Sequence, residues 1–107
     1  MALGKNTGLD KSKTLQVFQS PLFTKKVKKF SKKQKNELDK QIKNLLVNPL
    51  FGEEKKGDLK GIFVYKFKIS NAQYLFSYRL KENNIELITI GPHENYYRDL
   101  KTYLKSK

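Results

Sequence analysis

The sequence predicts an α+β fold, a small antiparallel sheet with two N-terminal helices packed on one face, in the order β-α-α-β-β-β-α. Three observations lead to it. Apolar residues recur at helical spacing between Pro21 and Leu46. Aromatic residues then alternate with other types through 62–69 and 74–80, the period of strands. A last helical stripe follows Gly91-Pro92.

The first 13 residues, "MALGKNTGLDKSK", are polar, contain glycine and show no periodicity, which predicts a flexible tail outside a single domain spanning 14–107. "TLQVF" then places Leu15, Val17 and Phe18 in a short strand that stops at Ser20-Pro21. Ser20 reads as a helix N-cap and Pro21 as a first-turn proline, ahead of Phe23, Val27 and Phe30 at i, i+4 and i+7. Ser31 offers a fresh cap for a second helix, on which Leu38, Ile42, Leu45 and Leu46 form one stripe that Asn48-Pro49 ends.

"LFGEEKKGDLKG" reads as a loop of polar turns. In "IFVYKFKI" Phe63, Tyr65, Phe67 and Ile69 share one face, while Ile62, Val64, Lys66 and Lys68 share the other. In "YLFSYRL" Tyr74, Phe76, Tyr78 and Leu80 share one face, while Leu75, Ser77 and Arg79 share the other. Hairpin connections at Ser70-Asn71-Ala72 and Glu82-Asn83-Asn84 join these strands to "IELITI" as an antiparallel meander. Tyr96 or Tyr97, with Leu100, Tyr103 and Leu104, then builds a C-terminal helix, and the pattern suits either tyrosine equally well. All the helices are expected on one face of the sheet.

Composition narrows the chemistry. The chain has 107 residues, no cysteine and one histidine, so disulfides and thiolate nucleophiles are excluded and a zinc or iron site lacks its usual ligands. No cofactor is expected. Neither a membrane span nor a signal peptide is visible, and the expectation is a cytoplasmic, unexported protein. Lys plus Arg number 23 against 10 Asp plus Glu, net +13, which calls for a polyanionic partner, an acidic protein partner, or both.

Only Arg79 and Arg98 are arginines, the residue type suited to fixed bidentate phosphate contacts. Seven lysines and no acid lie between Lys25 and Lys35; Lys25, Lys28 and Lys32 are candidates for an electrostatic landing surface, as against a solvated helix face. If the aromatic parity packs on the helices, Lys66, Lys68, Ser77 and Arg79 are left on an open sheet face able to hold phosphate. His93, in the turn after the last strand, is the side chain whose ordinary pKa lies near neutrality. Such a set could serve RNA cleavage without metal, because RNA carries its own nucleophile, the 2′-OH; the reaction needs a proton acceptor, a proton donor and fixed cations on the phosphate.

Three segments, "VFQSPLFTKKVKKFSKK", "NPLFGEEKKGDLKGIFVYKFKISNAQYLFSYRL" and "ITIGPHENYYRDLKTYL", resemble the RelE/ParE superfamily of bacterial type II toxins, in the right order from about residue 16 to 105. The resemblance implies the β-α-α-β-β-β-α fold. In the RelE branch it implies an endoribonuclease, an mRNA interferase that enters the ribosomal A site beside rRNA, cuts message without metal and so inhibits translation; a cognate antitoxin wraps and inhibits it. By position, Arg79 falls where the family places a strand arginine on the scissile phosphate, His93 where several members place a catalytic His, and Tyr97 at an aromatic position that stacks or donates a proton. Lys56 and Lys60 fall in the loop where members carry acid/base or phosphate-binding groups, and Arg98 is grouped with these phosphate contacts. No Glu or His clearly matches the general base of some relatives, although Glu53 and Glu54 lie close by. The ParE branch uses much the same fold to poison DNA gyrase without that catalytic set, and a basic RNA-binding module that only occupies its site is a third reading.

Overall fold

The computed structural model describes residues 16–105. The expected tail at 1–13 and the start of the first predicted strand lie outside the described residues. In chain order the elements are β1 (Gln16–Gln19), α1 (Pro21–Val27), α2 (Lys32–Val47), β2 (Glu53–Glu54), β3 (Ile62–Ile69), β4 (Ala72–Lys81), β5 (Asn84–Pro92) and α3 (Tyr96–Lys105). The strands form one sheet in the order β1-β5-β4-β3-β2.

The predicted meander is present, with Ile69 facing Ala72 and Lys81 facing Asn84 at its hairpins. The sheet as a whole is mixed, however, because β1 runs parallel to β5, from Gln16 opposite Asn84 to Gln19 opposite Leu87. Parallel neighbours need a crossover connection, and α1, α2 and then β2 to β4 supply it. The polar loop also holds a two-residue edge strand, in which Glu53 pairs with Val64 and Glu54 with Phe63.

The helix starts follow the sequence signals. Ser20 caps α1 by accepting from the Phe23 N–H at 3.0 Å, while its hydroxyl donates to the Ile88 carbonyl and ties the cap to β5. Ser31 and Gln34 close a capping box on α2.

On the α1–α2 face the aromatic parity of β3 and β4 is buried as predicted. Phe76 stacks on Tyr65 at 4.8 Å between ring centroids and meets Phe23 edge-on at 6.5 Å. Tyr78 is fully buried, and its hydroxyl donates to the Pro49 carbonyl at 2.8 Å and accepts from the Gly52 N–H at 2.9 Å. A Cβ on Gly52 would come 2.6 Å from that hydroxyl oxygen, so glycine alone lets the chain turn there into β2.

The opposite face corrects the expectation that every helix shares one side and that the Arg79 face is open. α3 packs there, burying Tyr96 and Leu100 against Ile62, Val64, Leu75 and Ile88. Those aliphatic side chains need cover as much as the aromatics do. A β-bulge contributes: Ser77 faces Thr89 but Tyr78 faces Leu87, so Ile88 is an extra residue. Ile88 therefore joins the α3 cluster, while Leu87 and Ile90 remain in the other core. Ser77 is buried, and only Lys66 and Lys68 of the expected open face reach solvent fully.

Candidate active site

The turn between β5 and α3 is fixed by backbone bonds. The His93 N–H donates to the Gln73 carbonyl at 3.1 Å, and the Tyr96 N–H donates to the His93 carbonyl at 3.2 Å. Asn95 takes the left-handed φ of 61°, which asparagine tolerates well, and this reverses the chain into α3. His93 is left exposed on a rigid sheet end.

The two tyrosines divide by burial. Tyr96 is 3% exposed and its hydroxyl donates to the Thr89 carbonyl at 3.0 Å. Burial pushes its phenol well above the ordinary range, so it holds its proton and serves the core. Tyr97, partly exposed and edge-on to Tyr96 at 5.7 Å, is the one available for chemistry.

A charged pair stands over Tyr97. Lys55 Nζ lies 5.0 Å from the Tyr97 ring centroid and 3.0 Å from Glu53 Oε1. The hydrogen bond from Lys55, followed by its charge, holds the Glu53 carboxyl below the usual carboxylate range, and Lys66 adds to this. The bond to Glu53, with Tyr97 contributing, raises the Lys55 ammonium above its ordinary value. At neutral pH the pair is thus fully charged, a carboxylate that gives up its proton readily and a cation that can meet a phosphate. A pocket of about 200 Å³ beside it is lined by Phe51, Gly52, Glu53, Val64, Tyr65 and Lys66.

Lys66 lies opposite Leu75 and Lys68 opposite Gln73. Since the His93 N–H meets the other side of Gln73, two strand spacings, about 10 Å, separate the backbones of His93 and Lys68. Lys56 and Lys60 come together with Lys55, Glu54 and Gly57 around a neighbouring pocket of about 350 Å³. Arg98 is exposed, with Nε 3.5 Å from Asp99. Lys25, Lys28 and Lys32 are exposed on or beside α1 and α2, whose packed face is the one opposite α3.

Arg79 lies opposite Ile62, the residue bonded to Lys55, and not beside His93. Its Nε donates to Glu86 Oε1 at 3.1 Å, and it stands six residues along β4 from Gln73, about 20 Å at the rise of a strand. The parity that puts Arg79 on the α3 face is right, but parity carries no information about position along the strand.

Sequence reasoning noted Glu53 as lying near a general-base position and Lys55 as a possible phosphate clamp, but with "EEKK" read as a loop it did not pair them. Alternation within those four residues was the available signal: in an edge strand, residues 53 and 55 share a face. Lys26 was also missed as an individual; its Nζ would lie 3.9 Å from a Cβ at Gly91, so it is the α1 lysine that approaches the turn.

Comparison with known proteins gives this arrangement its context. The family model described as the ParE-like toxin of type II bacterial toxin-antitoxin system matches residues 17–101. The chain belongs to this family. The toxin is similar in structure to an E. coli RelE mutant in the free state, with TM-score 0.68 and 15% identity over 86% of this chain and 97% of that one. It is also similar to a chain of the intact E. coli RelBE toxin-antitoxin complex, with TM-score 0.62 and 17% identity over 76% of this chain and 99% of that one. For the YoeB/ParE toxin from Agrobacterium tumefaciens the TM-score is 0.59 and the identity 18%, over 74% of this chain and 99% of that one. No curated protein matches the sequence. Among the described residues no helix is long and apolar enough to cross a membrane.

Proposed function

We propose that this toxin is a metal-independent endoribonuclease that cuts mRNA on the ribosome, inhibits translation, and is held in check by an acidic cognate antitoxin. The observation that carries this reading is the corner itself: an exposed imidazole pinned to the sheet end, beside lysines on β3 and a tyrosine under the Lys55–Glu53 pair. His93 is the group able to take the proton of the 2′-OH. Lys55, Lys66 and Lys68 are placed to offset charge on the phosphate, and Tyr97 offers a ring to stack on a base or a hydroxyl to donate. Lys56, Lys60 and Arg98 extend the basic surface, and Lys25, Lys28 and Lys32 act earlier, in the encounter with ribosomal RNA. Its place of work is the cytoplasm, where message and ribosomes meet.

The antitoxin follows from the family and from the charge of +13. One observation favours the gyrase-inhibitor reading: both arginines lie against acids, Arg79 against Glu86 and Arg98 against Asp99. Purified toxin incubated with translating ribosomes should generate new mRNA 5′ ends without added metal. Intact message together with loss of gyrase supercoiling would give the chain to the gyrase reading.

A further inference from the structure

The ring of Phe51 is 65% exposed although its backbone is held in place. The Phe51 N–H donates to the Asn48 carbonyl at 3.0 Å, and the next amide, that of Gly52, donates to the Tyr78 hydroxyl at 2.9 Å. Tyr65 supports the ring from the core, with 5.4 Å between centroids and 47° between planes. Phe51 is therefore a fixed, open ring, and it forms one wall of the pocket of about 200 Å³ that Gly52, Glu53, Val64, Tyr65 and Lys66 complete. Apolar flanks with one acid and one cation among them suit a flat ligand that is apolar on its faces and polar on its edge. A nucleobase has that character, and every base has a face that stacks on an aromatic side chain. The function proposed above gives Glu53 no task of its own. Its carboxyl is ionised at neutral pH, so it only accepts hydrogen bonds, and Lys55 takes one of its several lone pairs.

We propose that this pocket is a nucleobase subsite for single-stranded RNA, in which the base stacks on Phe51, Glu53 reads its Watson–Crick edge, and guanine is the preferred base. The proposal rests on the reading above that the substrate is RNA. The preference follows from the chemistry of a carboxylate. Guanine offers it neighbouring donors, the N1–H and the N2 amino group, which a carboxylate accepts side by side. Adenine and cytosine set a ring acceptor next to their amino group, and uracil flanks its N–H with carbonyls, so each brings a lone pair against the carboxylate. Lys66, on the rim of the same pocket, is one of the lysines placed to offset phosphate charge, so a nucleotide whose base enters keeps its phosphate among cations. Cutting by this toxin is thereby biased towards sites that bring a guanine to Phe51.

Short labelled RNAs that differ in one central base, and are methylated at every 2′-oxygen so that they lack the nucleophile, test this by direct titration into the full chain. The guanine RNA should bind about tenfold more tightly than the adenine, cytosine and uracil ones. Phe51→Leu keeps apolar bulk at an exposed position but loses the flat face, and should weaken the guanine RNA by about tenfold with the unfolding midpoint in place. Glu53→Gln should level the affinities, whereas a carboxylate acting through charge alone would shift all of them equally. Equal affinity for every base, preference for a base other than guanine, or a preference that survives Glu53→Gln overturns the proposal. So does unchanged RNA binding in Phe51→Leu, which would leave that ring to a protein partner. Message cutting is read separately on ribosomes. Guanine preference without cutting keeps the subsite and removes the nuclease, whereas cutting without base preference in binding does the reverse.

Discussion

On the α1–α2 side the sheet presents rings, and on the α3 side it presents aliphatic residues that give way to lysines. Tyr65, Phe67, Phe76 and Tyr78 interlock beneath the helices with every ring almost fully buried. Across the sheet, α3 covers Ile62, Val64, Leu75 and Ile88 and leaves Lys66, Lys68 and His93 exposed. The difference shows how a chain of this size divides its work. One face buries its central rings and carries stability, so the other can stop short and keep polar groups at its border.

Substitutions that read stability on one face and activity on the other test this division. The largest expected effect is from Phe76→Ala, which removes the ring shared by Tyr65, Phe67, Tyr78 and Phe23 and should cost about 3–5 kcal/mol in denaturant unfolding. A loss below about 1 kcal/mol would mean that the two faces share the load. Next, His93→Ala should slow message cutting by roughly 10² or more while leaving the unfolding midpoint in place, since the side chain is exposed. A wild-type rate in the folded variant would remove His93 from the chemistry.

The adjacent tyrosines sharpen the comparison within two residues. Tyr96→Phe leaves the Thr89 carbonyl without this donor and should cost about 1–2 kcal/mol with little change in cutting. Tyr97→Phe should do the opposite, and equal losses in both assays for both variants would erase the division. The sign with pH follows from burial, which raises the Tyr96 phenol above its unfolded value. The stabilisation is complete below the ordinary phenol range and is lost as pH rises above it towards the folded value, so Tyr96→Phe should flatten the alkaline decline of stability.

Arg79→Gln should be milder. It removes a half-exposed ion pair with Glu86, worth about 0–1 kcal/mol, and cutting should change by no more than about threefold if the arginine stands as far from His93 as the strand register places it. A hundredfold loss would mean that Arg79 does reach the scissile phosphate. The smallest single-turnover effect is expected from charge reversal at Lys25, Lys28 and Lys32, which should weaken association with ribosomes and flatten its salt dependence. An unchanged salt slope would return these lysines to a solvated helix face.

Much of this was legible in the residues. Aromatic parity in 63–69 and 74–80 located the main core, and Ser20-Pro21 and Ser31 marked the helix starts. What escaped depended on contacts between distant segments. Four residues of β1 carry no mark of strand direction. The bulge at Ile88 is set by its pairing with Ser77 and Tyr78, and the side taken by α3 by which sheet face still needed cover. The choice between Tyr96 and Tyr97 turned on a carbonyl at Thr89, which helical periodicity does not register. For the same reason Arg79 looked like a partner of His93: parity was readable, but distance along the strand relative to the turn was not.

The parallel pairing of β1 with β5 has a consequence for synthesis. The Ser20 cap and its Ile88 acceptor are 68 residues apart along the chain, and contacts of such separation form late and slowly. While the chain is being made, β1 waits without its neighbour until Asn84–Leu87 has left the ribosome, and α1 lacks the anchor that Ile88 gives its first turn. A product that stops before β5 can neither complete the sheet nor present the turn at His93. Translation interrupted partway thus yields a chain with an unfinished sheet, and the toxin fold is assembled only after its last strand has been read.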